Sequence, residues 1–131
     1  MHPFRVAVEA EDFEAIPALL AEDVTFLSPV AFRPYQGREL VGAILRGVGR
    51  VLTDFAYVRE LADADGLALV FTARIDDREV HGCDFLRLDS AGLITEFCVM
   101  LRPLSAAQAM AERMGAQFDA IKADAAARIA G

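Results

Sequence analysis

A chain of 131 residues has the length of one ordinary domain and can bury a core without metal or disulfide staples. A formal charge of −7 leaves no basic stripe to neutralise phosphates, which argues against nucleic acid as a partner. The 55% share of hydrophobic residues is high for a globular protein and suggests a further buried surface, such as a subunit interface.

From the N-terminus, the spacing of Phe4, Val6, Ala7 and Ala10 predicts a short helix over 2–10. Asp12 offers an N-cap for a second helix running to about Ala21, with Pro17 bending or shortening it. Val24–Ser28 reads as a short strand stopped by Pro29, and the loop after it carries Phe32, Arg33, Pro34, Tyr35 and Gly37. Leu40, Val41, Ile44, Leu45, Val48 and Val51 recur at three and four, which predicts an amphipathic helix from Arg38. Gly42, Gly47 and Gly49 weaken that helix but allow it to pack closely on a sheet. Phe55–Ala62 is the next strand, and Asp65-Gly66 is a hairpin turn.

Gly66 to Pro103 reads as a three-stranded antiparallel meander around which the other elements pack. A turn at Asp89–Gly92 sets Asp84 opposite Phe97, Leu86 opposite Thr95 and Cys83 opposite Cys98. One face then carries Gly82, Asp84, Leu86 and Leu88 with Phe97, Val99 and Leu101. The other carries His81, Cys83, Phe85 and Arg87 with Ile94, Glu96, Cys98 and Met100. Leu67, Leu69, Phe71, Ala73 and Ile75 form the more apolar set of their strand and are placed on the Asp84 side, which requires a two-residue turn near Asp76-Asp77 or Asp77-Arg78. Neither face is polar enough for open water, so helices should cover one and a second subunit the other. Beyond Pro103, Ser105 with Gln108 makes a capping box. Met110, Met114, Phe118, Ile121, Ala125 and Ile129 draw one stripe along a C-terminal helix over 105–129.

Asp84 is the misfit in this pattern. A carboxylate in the middle of an apolar strand must find a partner, lose its charge or face a cavity. Ser28 and Tyr35 are its candidate partners, and His81 falls on the opposite face. Two cysteines without CxxC spacing and two histidines make no zinc pattern, so neither a metal, a cofactor nor a disulfide is expected. No apolar run approaches a membrane span, and Met1-His2-Pro3-Phe4 lacks the start of a signal peptide. The default location is cytoplasmic.

Three stretches, EDFEAIPALLAEDVTFLSP, YQGRELVGAI and DFLRLDSAGLITEF, together with the order of elements, resemble the nuclear-transport-factor-2-like superfamily. That superfamily includes the SnoaL-like polyketide cyclases and the steroid delta-isomerases. The resemblance covers about Phe4 to Pro103 and implies one α+β domain over 1–131, with core 4–103. Its implied shape is a cone, a curved antiparallel sheet wrapped around the N-terminal and central helices, with a C-terminal helix added. In the steroid isomerases an aspartate base on the first strand works with an oxyanion hole made by a tyrosine of the first helix and a protonated aspartate of the meander. The resemblance puts Asp84 at the oxyanion-hole acid, Ser28 where the base should be and Phe4 where the tyrosine should be.

A serine without a neighbouring base cannot abstract a carbon-bound proton at neutral pH, and phenylalanine donates no hydrogen bond, so steroid isomerisation itself is not expected. What remains is an apolar pocket closed at its narrow end by Phe71, Leu86, Phe97 and Val99, with Asp84 as its lone ionisable group. Phe4, Phe26, Tyr35 and Leu101 complete its expected lining. The leading expectation is a homodimer, joined through the outer sheet face, that binds an apolar small molecule. One alternative is an isomerase or cyclase acting on an apolar carbonyl compound, with Asp84 as acid or base and Ser28 as a polar helper. The other is an interaction module with a vestigial cavity.

Overall fold

The computed structural model describes residues 1–131 and begins with helix α1 (Pro3–Glu9). Pro3 opens the helix, where its missing N–H is harmless, and the His2 ring accepts the Phe4 amide at 3.0 Å. The second helix expected from Asp12 does not form. Two 3-10 turns, Phe13–Ala15 and Pro17–Leu19, take its place, and the Asp12 side chain caps neither. Pro17 cannot donate the hydrogen bond an α-helix would need there, so it starts a fresh turn. The chain becomes extended at once, and β1 (Leu20–Leu27) starts four residues before the expected strand.

After the short β2 (Tyr35–Gln36) comes α2 (Arg38–Val51), as its periodicity predicts. Then follow β3 (Thr53–Ala62), β4 (Gly66–Ile75), β5 (Arg78–Leu88) and β6 (Ile94–Arg102). The six strands form one sheet in the order β2-β1-β6-β5-β4-β3. All neighbours are antiparallel except β1 and β6, which run parallel. Such a pair needs a long crossover, and α2 with the β3–β5 strands supplies it. The inner face of the sheet, α1 and α2 enclose the core, with Phe4, Val41, Leu69 and Phe97 almost fully buried.

The meander keeps the expected faces but not the expected register. The β4–β5 hairpin turns at Asp76-Asp77, which pairs Leu69 with Asp84, and Asp76 adopts the positive φ of 54° that such a tight turn demands. On β6, Asp84 lies opposite Val99 rather than Phe97, and Cys83 opposite Met100 rather than Cys98. The slip is two residues, and since side chains alternate with period two, every residue from Glu96 onward stays on its predicted face. One residue of the slip arises at an irregularity after Arg87, where Leu88 pairs with Ile94 while Arg87 pairs with Glu96, leaving Thr95 as the extra residue, and the turn between the strands supplies the other. This bulge turns Ile94 inward, where it is fully buried, correcting its assignment to the outer face.

The glycines of α2 do not serve packing on the sheet. A Cβ at Gly47 would lie 2.8 Å from Ile121, one at Gly49 2.7 Å from the Phe13 ring, and one at Gly42 3.2 Å from Pro17. They admit neighbouring segments on the far side of the helix. The C-terminal stripe is carried by two helices, α3 (Leu104–Ala116) and α4 (Phe118–Ala130), with a break at Gln117. Residue Pro103 holds the N-cap position of α3, so the Ser105–Gln108 capping box is not made. Met110, Ile121 and Ala125 are buried, but Ile129 is 71% exposed. No helix is long and apolar enough to cross a membrane.

Candidate functional site

Asp84 sits in the middle of β5, between Leu69 and Val99 on the inner face, and is 6% exposed. Its partner is Tyr57 of β3, not Ser28 or Tyr35. The Tyr57 hydroxyl donates to Asp84 Oδ2 at 2.8 Å, the one hydrogen bond from the protein that the carboxyl accepts. One strand, β4, separates the backbones, and Gly82 makes the reach possible. Phe71 faces Gly82 across the β4–β5 ladder, and a Cβ there would stand 2.4 Å from its ring. With no side chain at Gly82, the Phe71 ring lies over the backbone and Tyr57 extends past it. Phe55 stacks on Phe71 at 4.8 Å and meets Tyr57 edge-on at 4.9 Å, which fixes the phenol from its other side.

The environment sets the ionisation. Burial raises the Asp84 pKa to about 7, against a smaller downward pull from the Tyr57 hydrogen bond. Burial, together with the adjacent Asp84 carboxylate, raises the Tyr57 pKa as well, so Tyr57 stays a neutral donor. The guanidinium of Arg5 lies 5.8 Å above the Tyr57 ring and is tied to Glu60 at 3.0 Å, joining α1 to β3 behind the phenol.

Both groups face a cavity of about 910 Å³ between the sheet, the helices and the loop after β1. Of the residues expected to line it, Phe4, Phe26, Tyr35, Phe71, Phe97, Val99 and Leu101 do. Leu86 does not: it is buried in the core between Leu67 and Phe97. Phe4 occupies the closed end, its ring edge-on to Phe97 at 5.1 Å. Ser28 also borders the cavity, but its Oγ accepts the Val30 amide at 3.1 Å, shaping the turn that ends β1. Arg33 lies outside the lining.

Asp84 is not the only ionisable group there. Glu9, Glu11, Arg50, Asp54 and Tyr57 join it in the wall, because the end of α1 and the α2–β3 junction converge on the same space. Tyr57 is the residue that sequence reasoning misses. The signal for it was alternation: Phe55 and Tyr57 share a face of their strand, and a buried phenol needs a partner as much as a buried carboxyl does. Only the register across β3, β4 and β5 joins the two needs.

A model of the SnoaL-like domain matches residues 3–97. Among solved structures, the chain is similar to a steroid delta-isomerase from Pseudomonas aeruginosa, with 40% identity, 92% of this chain and 89% of that chain covered, and a TM-score of 0.86. It is also similar to an uncharacterised bacterial protein with a cystatin-like fold from Silicibacter pomeroyi, with 35% identity, 89% and 86% covered, and a TM-score of 0.82. An NTF2-like protein of unknown function from Mesorhizobium loti shares the fold, with 18% identity, 76% and 85% covered, and a TM-score of 0.67. No curated protein matches the chain.

Proposed function

The chain belongs to the SnoaL-like family, and on that footing we propose that it takes an apolar small molecule bearing one oxygen function into the cavity beside Asp84 and Tyr57. The observation that carries this reading is a buried acid, hydrogen-bonded to a buried phenol, set into the wall of a mostly apolar space of about 910 Å³. Sites for drug-sized ligands span roughly 300–1,000 Å³ and are built in this way, with apolar walls and few polar groups to fix orientation. Near neutrality Asp84 exchanges between its two forms. As the acid it donates to a ligand carbonyl through the oxygen that Tyr57 leaves free, and as the carboxylate it accepts from a ligand hydroxyl.

The reading is tested by calorimetry with a panel of cyclic ketones, enones and phenols on the wild type, Asp84→Asn and Asp84→Leu. Asp84→Asn retains a donor and is expected to keep most of the affinity for ketones, while Asp84→Leu loses roughly tenfold. Equal affinities of Asp84→Leu and wild type across the panel would overturn the assignment.

A second reading, an isomerase or cyclase acting on an apolar carbonyl compound, is favoured by the near-neutral pKa of Asp84, which suits a general acid or base. The likeness to the P. aeruginosa steroid delta-isomerase supports it, while Ser28 and Phe4 speak against that reaction in its usual form. In this reading Ser28 is a polar helper, its hydroxyl hydrogen free for a substrate oxygen. Exchange of enone α-hydrogens for deuterium, followed by NMR, decides it: catalysed exchange that disappears in Asp84→Asn supports the enzyme, and its absence in the wild type removes it.

The subunit arrangement belongs to the same reading. Leu61, Ala68, Phe85 and Cys98 lie side by side across four strands of the outer face, and Val70, Cys83 and Met100 form the next row. Leu61, Phe85 and Met100 are 50%, 42% and 57% exposed. Such a patch supports a homodimer joined sheet to sheet.

A further inference from the structure

The family match ends at residue 97, yet part of the cavity wall lies beyond it. Met110, Met114 and Gly115 of α3 and Phe118 of α4 border the cavity. Phe118 packs on Tyr35, ring centroids 5.5 Å apart. Tyr35 belongs to the edge strand β2, three strands along the sheet from β5, which carries Asp84, so the Phe118 wall and the Asp84 carboxyl border different parts of one space.

This wall is held by contacts of its own. At the break between the helices, Gln117 Nε2 donates to the Gly47 carbonyl at 2.9 Å, and its Oε1 accepts from Arg50 at 3.0 Å. Ile121 fills the space left open at Gly47. A chain of charges follows: Arg46 to Asp124 at 2.9 Å, Asp124 to Arg128 at 2.8 Å, and Arg128 to Glu14 at 2.7 Å. Arg46 is 8% exposed, so the arginine side of the first pair is shielded from water, while the Asp124 side chain is half-buried.

We propose that Met114 and Phe118 set the length of ligand the cavity accepts, and that Arg128 is a positioning residue holding α4 so that they can. The inference rests on the small-molecule reading above. A ligand whose oxygen is held at Asp84 extends its apolar body across the sheet and meets a thioether and an aromatic edge at the far end. That end sorts apolar bodies by reach.

The test is a series of straight-chain methyl ketones, from octanone to hexadecanone, titrated calorimetrically into the full-length protein. The wild type is expected to show an optimum length. Phe118→Ala and Met114→Ala should move it to longer ketones, improving the first ketone beyond the wild-type optimum by roughly tenfold. The milder Phe118→Leu and Met114→Leu should move it in the same direction, and they keep the question open to measurement where an alanine variant does not fold. Arg128→Ala should flatten the length profile without moving its optimum, which distinguishes positioning from lining. Asp84→Leu should weaken every ketone and leave the optimum in place. An unchanged optimum in all four wall variants, with the wild type binding, would overturn the inference and leave the small-molecule reading standing. No binding of any ketone by the wild type would overturn that reading, and the inference with it.

Discussion

Asp84 accepts its hydrogen bond from a phenol that is itself buried, and this couples folding to pH. Its pKa in the folded protein, about 7, lies above the ordinary 3.8 that an unfolded chain approaches. Between those values the native state holds a proton that the unfolded state has released, so stability falls as pH rises. The contribution is complete below the unfolded pKa and is lost as pH passes through the folded one. Urea denaturation across this range should show the decline in the wild type. Asp84→Asn should abolish it and be more stable than wild type above neutrality by on the order of 2–4 kcal/mol. A flat wild-type profile would contradict the burial of an ionising Asp84. Tyr57→Phe removes the one interaction that lowers this pKa, so the carboxyl should titrate higher still, which carboxyl carbon shifts in NMR would report.

Packing at the level of elements is most exacting where a glycine meets a ring. Gly82→Ala sets a Cβ 2.4 Å from Phe71 and 2.9 Å from Leu101, and overpacking of this kind costs about 1–3 kcal/mol. Gly115 lies in α3, where an added Cβ would meet nothing within 4 Å, so Gly115→Ala should stabilise by up to about 1 kcal/mol through helix propensity. Opposite shifts of the two denaturation midpoints would bear this out. The elements were unevenly legible. The period of α2 could be read directly, and the β4–β5 turn to within one residue, because both signals are local. The turns around Pro17, the break at Gln117 and the bulge at Thr95 could not, because each reflects how one segment docks on another.

Two sheet faces of different character give the whole molecule its organisation. The inner face closes over the cavity, and the outer one displays Phe85 and Met100 beside Cys83 and Cys98, which are free thiols whose pKa values are raised by burial. If the outer face joins two protomers, Phe85→Glu with Met100→Glu should convert a dimer to a monomer in light scattering while leaving the circular dichroism of the fold intact. A wild type already monomeric at the same concentration would exclude that interface.

By itself, the sequence determined the two faces of the meander and Asp84 as the odd carboxyl, because both follow from residue type and a period of two along a strand, while the α+β class came from the order of elements and the resemblance they carry. A register error of two residues left the faces from Glu96 onward untouched for the same reason, and only Ile94, before the bulge, changed sides. Only the tertiary structure decided what Asp84 touches. Tyr57 lies 27 positions away and reaches it across β4, through a path that exists because Gly82 has no side chain and Phe71 fills that space instead. It likewise decided that Phe118, beyond the matched family residues, stands in the wall of the same cavity. Such contacts depend on how strands and helices are placed in three dimensions, which periodicity along the chain does not encode.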